Sequence, residues 1–175
     1  KIYEKCRSLR NLCFSPDPCE RFVHEQLGWN LRMTNIQAAL GVAQLERMDK
    51  IVEKKRNIGA MYQNLLSDIE VINLPVQKRN YADNIYWVFA ITIRDGYSKT
   101  AREIMGELAQ KGMMTRPFFY PTHKQPVFNK MGMFINEQYP NSEKLYERGF
   151  YIPSGLALTE EQIMAVSQIM HEVLV

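Results

Sequence analysis

Apolar residues recur on two different periods along this chain. Ile36, Leu40, Ala43, Met48, Ile51, Ile58, Met61 and Leu65 follow a helical period and predict one long helix over 35–67. Thr34 stands at its start as an N-cap, and Gln37, three residues on, completes a capping box. Ala38, Ala39, Gly41 and Ala43 suit close packing against another element, while Glu53, Lys54, Lys55 and Arg56 fall mainly on the outer face. After Ser67-Asp68 the pattern changes to extended runs. Tyr86 to Ile93 is the clearest strand, rich in aromatic and β-branched residues. Val71 to Pro75 is a short extended segment, and Met113 to Phe119 and Phe150 to Ile152 read as two further strands. Helices interleave with them. One follows Ser98 and Thr100, runs through Leu108 and is followed by Gly112 at C′. A second covers Asn141 to Arg148 and stops at Gly149. The last opens on Thr159 and Gln162 and carries Ile163, Val166, Ile169, Met170 and Val173 on one face. The start of the chain is a short helix over Ile2–Arg10 and then a polar loop with turn chemistry at Ser15-Pro16-Asp17-Pro18. The order predicts an α/β fold, a small sheet covered by helices and preceded by a long helix.

Length and charge narrow the function classes. A chain of 175 residues buries the core of one domain, or of a domain with an appendage. A formal charge of +3, spread among acids, does not argue for nucleic acid or a membrane surface. No apolar run reaches the length of a membrane span, and the N-terminus shows no apolar signal segment. Cys6, Cys13 and Cys19 make an odd count, which points to free thiols in a reducing, cytoplasmic compartment. A zinc site shared with His24 fits poorly, because the gaps of six and five residues include no Cys-x-x-Cys pair. No metal is expected.

Two places bring chemistry-bearing residues together. Asn30 and Arg32 lie just before the start of the long helix, where free N–H groups and the helix dipole favour an anion. An amide, a guanidinium and a helix start suit a phosphate, and a polar helix-entry turn is the plain alternative. Arg116 and His123 frame an aromatic run, Phe118-Phe119-Tyr120, stiffened by Pro117 and Pro121. Here the plain alternative is a buried aromatic strand end with Arg116 paired locally. Lys50, Lys54 and Lys55 read as solvated, His24 and His171 as structural or exposed, and Met113, Met114, Met131 and Met133 as packing.

Three ordered blocks carry a resemblance. Gly28-Trp29-Asn30-Leu31-Arg32-Met33-Thr34-Asn35-Ile36-Gln37-Ala38-Ala39, with Gln44-Leu45-Glu46-Arg47 after it, is similar to the G-[YF]-N-x-R-[ML]-x-x-[IL]-Q-A-A signature of the DegT/DnrJ/EryC1/StrS family. These are aminotransferases that use pyridoxal 5'-phosphate (PLP) and act on nucleotide sugars. Thr115 to Pro126 resembles the family's T-R-P-F-F-x-P-x-H-x-Q-P segment, and Ile152-Pro153-Ser154 with Leu158-Thr159-Glu160-Glu161-Gln162-Ile163 resembles its C-terminal block. The resemblance implies the small domain of the fold-type I aminotransferase architecture. Residues 1–33 would be a remnant of the large PLP-binding domain, 34–70 a linking helix and 71–175 the small α/β domain. It implies a homodimer in which Asn30 and Arg32 reach across to the cofactor phosphate. Arg116 and His123 would contact the nucleotide-diphosphate sugar, and glutamate is the expected amino donor. The second block leans toward perosamine-synthase-like 4-keto substrates and polysaccharide biosynthesis.

The chain shows no initiator Met, and the family's N-terminal half, with its cofactor-anchoring lysine, is expected to be missing. No lysine here stands in a matching motif, so the stretch by itself is expected to be inactive. Asn11-Leu12-Cys13 stands where many members carry Asn-His-Gly, which departs from the pattern. Two other readings are a relative acting on a cyclitol or as a dehydratase, and a non-catalytic binding or oligomerisation module.

Overall fold

Thr34, Thr100 and Thr159 open three helices in the same way. Each hydroxyl accepts the N–H three residues on, and the side chain there, Gln37, Glu103 or Gln162, accepts the threonine's own N–H. Each box satisfies two backbone donors that a helix start would otherwise leave open. The computed structural model describes residues 1–24 and 26–175. They form two compact units, Lys1–Met48 and Asp49–Val175.

The first unit holds α1 (Ile2–Leu9), a 3-10 turn at Pro18–Glu20 and α2 (Asn35–Leu45). No residue of α2 is buried, and Ile36 and Leu40 stand exposed. The single helix expected over 35–67 is in fact two, with α3 covering Met48–Leu65. Glu46 N–H still bonds the Val42 carbonyl, but Arg47 N–H bonds the nearer Gln44 carbonyl. This tightening of the last turn ends α2. No Gly or Pro marks the break, so the apolar period runs through it unchanged.

The second unit continues with β1 (Ile72–Asn73), a hairpin of β2 (Lys78–Arg79) and β3 (Ala82–Asp83), then β4 (Phe89–Ile93) and α4 (Ala101–Gln110). After these come β5 (Arg116–Pro117), α5 (Pro126–Lys130), α6 (Pro140–Arg148), β6 (Gly149–Ile152) and α7 (Glu160–Leu174). The main sheet has the order β1-β4-β6-β5, antiparallel throughout. Alternation along β4 buries Phe89, Ile91 and Ile93. They share one core with Ile58 and Tyr62 of α3, Ile104 and Leu108 of α4, and Ile163 and Met170 of α7. The Tyr62 ring packs 5.0 Å from that of Phe89, and its hydroxyl donates to the Pro153 carbonyl at 2.8 Å. Burial pushes that hydroxyl's pKa up.

Two strands are shorter than the sequence suggests. The run expected from Tyr86 becomes a strand only at Phe89, because Tyr86 has a left-handed backbone, φ 49°. Its N–H donates to Asn84 Oδ1 at 2.7 Å, a side-chain turn that competes with a ladder. Its ring fills the place of a side chain at Gly59, where an added Cβ would stand 2.3 Å from the ring. The strand expected over 113–119 is only Arg116–Pro117, at the sheet edge where a proline without an N–H is tolerated. Gly112 closes α4 at φ +84° as expected, whereas Gly149 is extended and begins β6.

The close approach at Gly59 generates a test. Alanine favours a helix over glycine by about 1 kcal/mol, while overpacking a core costs about 1–3 kcal/mol. With a ring atom at 2.3 Å, the second effect should win, and Gly59→Ala should lower the urea midpoint. Gly106→Ala on α4, where nothing lies within 4 Å of the added carbon, should leave the midpoint unchanged or raise it. Equal effects from the two substitutions would contradict the Tyr86 packing.

Candidate functional site

The first candidate cluster is built on a glycine. The backbone of Leu12 and Cys13 lies so close to Gly28 that a Cβ there would sit 2.4 Å from the Cys13 nitrogen. Three backbone bonds join the strands of this turn. Trp29 N–H reaches the Leu9 carbonyl at 2.7 Å, Leu12 N–H the Trp29 carbonyl at 3.1 Å, and Leu31 N–H the Arg10 carbonyl at 2.9 Å. Asn11 and Asn30 thereby face each other in an antiparallel bridge. Leu12 and Cys13 both take left-handed backbones, φ 60° and 51°. That conformation is strained for a leucine. His24 Nδ1 meets the Leu12 carbonyl at 2.8 Å, and the Cys13 thiol donates to the Leu27 carbonyl at 3.6 Å.

This closed turn brings Asn30 and Arg32 together. Arg32 Nε donates to Asn30 Oδ1 at 3.1 Å, and Nη1 donates to Asn11 Oδ1 at 2.7 Å. Both amide oxygens thus accept from the guanidinium. Two of its five N–H groups are engaged this way, which leaves guanidinium donors and the Asn30 amide N–H2 for an outside partner. The capping box occupies the Gln37 N–H and leaves the amides of Asn35 and Ile36 at the α2 start. A set of donors with its acceptors already used fits a phosphate.

The second motif lies in the second unit. Arg116 pairs in register with Tyr151, and both line a groove of about 570 Å3 with Lys55, Trp87, Phe119 and Ser154. Lys55 is not the solvated surface lysine that the sequence suggests. Its Nζ donates to the Ser154 carbonyl at 2.5 Å, and partial burial lowers its pKa. Sequence reasoning missed both Lys55 and Trp87. The signal for Lys55 was its spacing, because positions 55, 59 and 62 share the inward face of α3.

His123 lies outside the groove lining. It is buried in a 3-10 turn, Thr122–Lys124, with Nε2 at 2.8 Å from Glu143 Oε1 and its ring edge-on to Tyr139. Glu143 also accepts from the Lys124 ammonium and from the Tyr139 N–H. The structure thus separates the two residues: Arg116 is exposed on the groove wall, and His123 clamps its loop to α6. His171, for which the sequence suggests no partner, bonds Asp68 Oδ1 at 3.0 Å and the Ser167 carbonyl at 2.8 Å. Among the described residues, no helix is long and apolar enough to cross a membrane.

The chain is similar to known proteins over nearly its whole length. The sequence profile of the DegT/DnrJ/EryC1/StrS aminotransferase family matches residues 1–171. A GDP-perosamine synthase of Vibrio cholerae is 32% identical over 168 residues, covering 94% of this chain and 43% of that protein. The putative pyridoxal phosphate-dependent aminotransferase EpsN of Bacillus subtilis is 32% identical over 160 residues, covering 91% and 40%. The chain therefore spans less than half the length of the curated relatives it matches. Among solved structures, the Helicobacter pylori aminotransferase PseC superposes with a TM-score of 0.87 at 16% identity, covering 99% of this chain and 46% of that one. The PLP form of the putative sugar aminotransferase Spr1654 from Streptococcus pneumoniae gives 0.81 at 18% identity, covering 99% and 44%.

The Glu143 clamp yields a pH prediction. Lys124 and then His123 hold this carboxyl down at about 2, against an ordinary 4.5. A carboxylate with a depressed folded pKa stabilises the fold fully above its ordinary value and loses that contribution as pH falls toward the folded one. The difference in urea midpoint between the wild type and Glu143→Gln should therefore be constant above about pH 4.5 and shrink toward pH 2. A difference that does not change across that range would contradict the clamp.

Proposed function

The chain belongs to the DegT/DnrJ/EryC1/StrS aminotransferase family, and from that membership we propose that it is the C-terminal part of an enzyme that transfers an amino group, with glutamate as donor, to a keto sugar of a nucleoside diphosphate. The observation that carries this reading is the donor cluster at the start of α2. Arg32 donates to the side-chain oxygens of both Asn30 and Asn11, so those acceptors are engaged and the remaining N–H groups of Arg32 and Asn30 are available to an anion. These two side chains would hold the phosphate of pyridoxal 5'-phosphate, contributed across a homodimer interface. When bound, that cofactor supplies the electron sink for amino transfer. Arg116 contacts the substrate, and His123 braces the loop that follows it. Residues 1–33 form an edge of the large domain, 34–70 the linking helices and 71–175 the small domain. The GDP-perosamine synthases among the relatives support a 4-keto sugar and a place in polysaccharide biosynthesis, and the unpaired thiols fit a cytoplasmic setting.

No lysine of this stretch is assigned as the cofactor anchor. A second reading, a non-catalytic oligomerisation module, is favoured only by the apolar residues exposed on α2, such as Ile36, Leu40 and Leu45.

The residue assignments are tested in the full-length parent. Loss of a hydrogen bond to a charged group costs about 1.5–3 kcal/mol. Asn30→Ala and Arg32→Ala should therefore weaken PLP retention roughly tenfold to a hundredfold. Arg116→Ala should raise the substrate KM and leave PLP retention unchanged. If Arg116→Ala stripped the cofactor while the other two did not, the roles of the two motifs would be reversed. The 175-residue chain alone, given PLP, glutamate and a nucleotide keto sugar, should give neither turnover nor a borohydride-trapped lysine adduct.

A further inference from the structure

The groove between α3, β5 and β6 has an unusual lining. It carries two cations, Lys55 and Arg116, and among the described residues no carboxylate. One cation is partly buried. Lys55 is half-buried and gives one N–H to the Ser154 carbonyl, so its head is fixed with two donors remaining. The other forms a wall, where Arg116 on the edge strand is exposed. Two fixed cations with no nearby acid attract an anion, and a desolvated ammonium gains most from one.

The rim of the groove is aromatic. Trp87 lines it and yet is 70% exposed. A large apolar ring held in solvent beside buried neighbours calls for a cause, and the backbone supplies it. Tyr86 is locked in its left-handed conformation by the Asn84 side chain and by its seat on Gly59. With Tyr86 turned inward against Phe89, ring centroids 5.8 Å apart, its neighbour Trp87 is turned out. Backbone strain of this kind concentrates where a side chain must be held for a ligand.

Cations beside an exposed indole match a ligand that joins phosphates to a flat ring. We propose that this groove binds the nucleoside diphosphate of the substrate, with Lys55 and Arg116 on the phosphates and Trp87 stacked on the base. The proposal rests on the aminotransferase reading and adds two residues to it. Lys55 and Trp87 set affinity for the nucleotide carrier, and the sugar is left to other groups.

The chain's two tryptophans make the test direct. In a Trp29→Phe background, emission comes from Trp87 alone, and GDP should quench it saturably. Trp87→Ala, followed by calorimetry, should weaken GDP binding by about tenfold and leave inorganic pyrophosphate binding unchanged. Lys55→Met, which keeps the aliphatic stem, should weaken both probes by at least about tenfold. Lys55→Arg should restore most of that loss, which separates charge from packing. Circular dichroism melts confirm that each variant is folded, and Lys55→Gln, which also removes the charge, stands in if Lys55→Met is not. If GDP binds but neither Trp87→Ala nor Lys55→Met changes its affinity, this groove is not the site and the nucleotide-sugar reading survives. If neither GDP, dTDP nor pyrophosphate binds at millimolar concentration, both are overturned.

Discussion

A single point of contact between α3 and the loop before β4 organises the second unit. At position 59 no side chain fits, because the Tyr86 ring is already there. That contact seats α3 on the sheet, with Tyr62 one turn further along against Phe89 and bonded to the Pro153 carbonyl. One turn the other way, it sets Lys55 over the Ser154 carbonyl. On the loop side it holds Tyr86 in a conformation that cannot continue a strand, delays β4 to Phe89 and exposes Trp87. Core, strand start and groove thus depend on one missing Cβ. The strain at Tyr86, of order 1–3 kcal/mol, persists because buried aromatic packing on both sides outweighs it.

Much of the fold could be read from residue order. The capping boxes at Thr34 and Thr159, the helix after Thr100 and the alternation along β4 follow from local rules, and all are present. The misreadings occur where a single contact, near or distant in sequence, overrides the apolar pattern. Tyr86 is β-favouring by type, but Gly59 and Asn84 make it a turn. The apolar period through Glu46 and Arg47 carries no sign that a carbonyl bond shifts there. The hairpin at Lys78–Asp83 has a largely polar sequence with no apolar alternation to mark its strands.

The site residues divide in the same way. Asn30 and Arg32 were visible because they precede a self-announcing helix start, but their partner Asn11 was not, since it lies some twenty residues earlier in a strained turn. His123 was visible as a histidine in a stiff loop, yet only the fold shows that Glu143 on α6 occupies its Nε2. Lys55 shows the reverse error. A charged residue among Glu53, Lys54 and Arg56 looks solvated until helical phase places it with Gly59 and Tyr62.

Cys13 lies where the turn that presents Arg32 is closed, its thiol held against the Leu27 carbonyl and its backbone against Gly28. Cys6 and Cys19 are exposed on either side of it. A thiolate reacts with an alkylating reagent only when the reagent can reach it. The protein therefore carries its own stopwatch: Cys6 and Cys19 report the reagent's intrinsic speed, and the lag of Cys13 behind them counts how often the turn that carries Asn30 and Arg32 comes open.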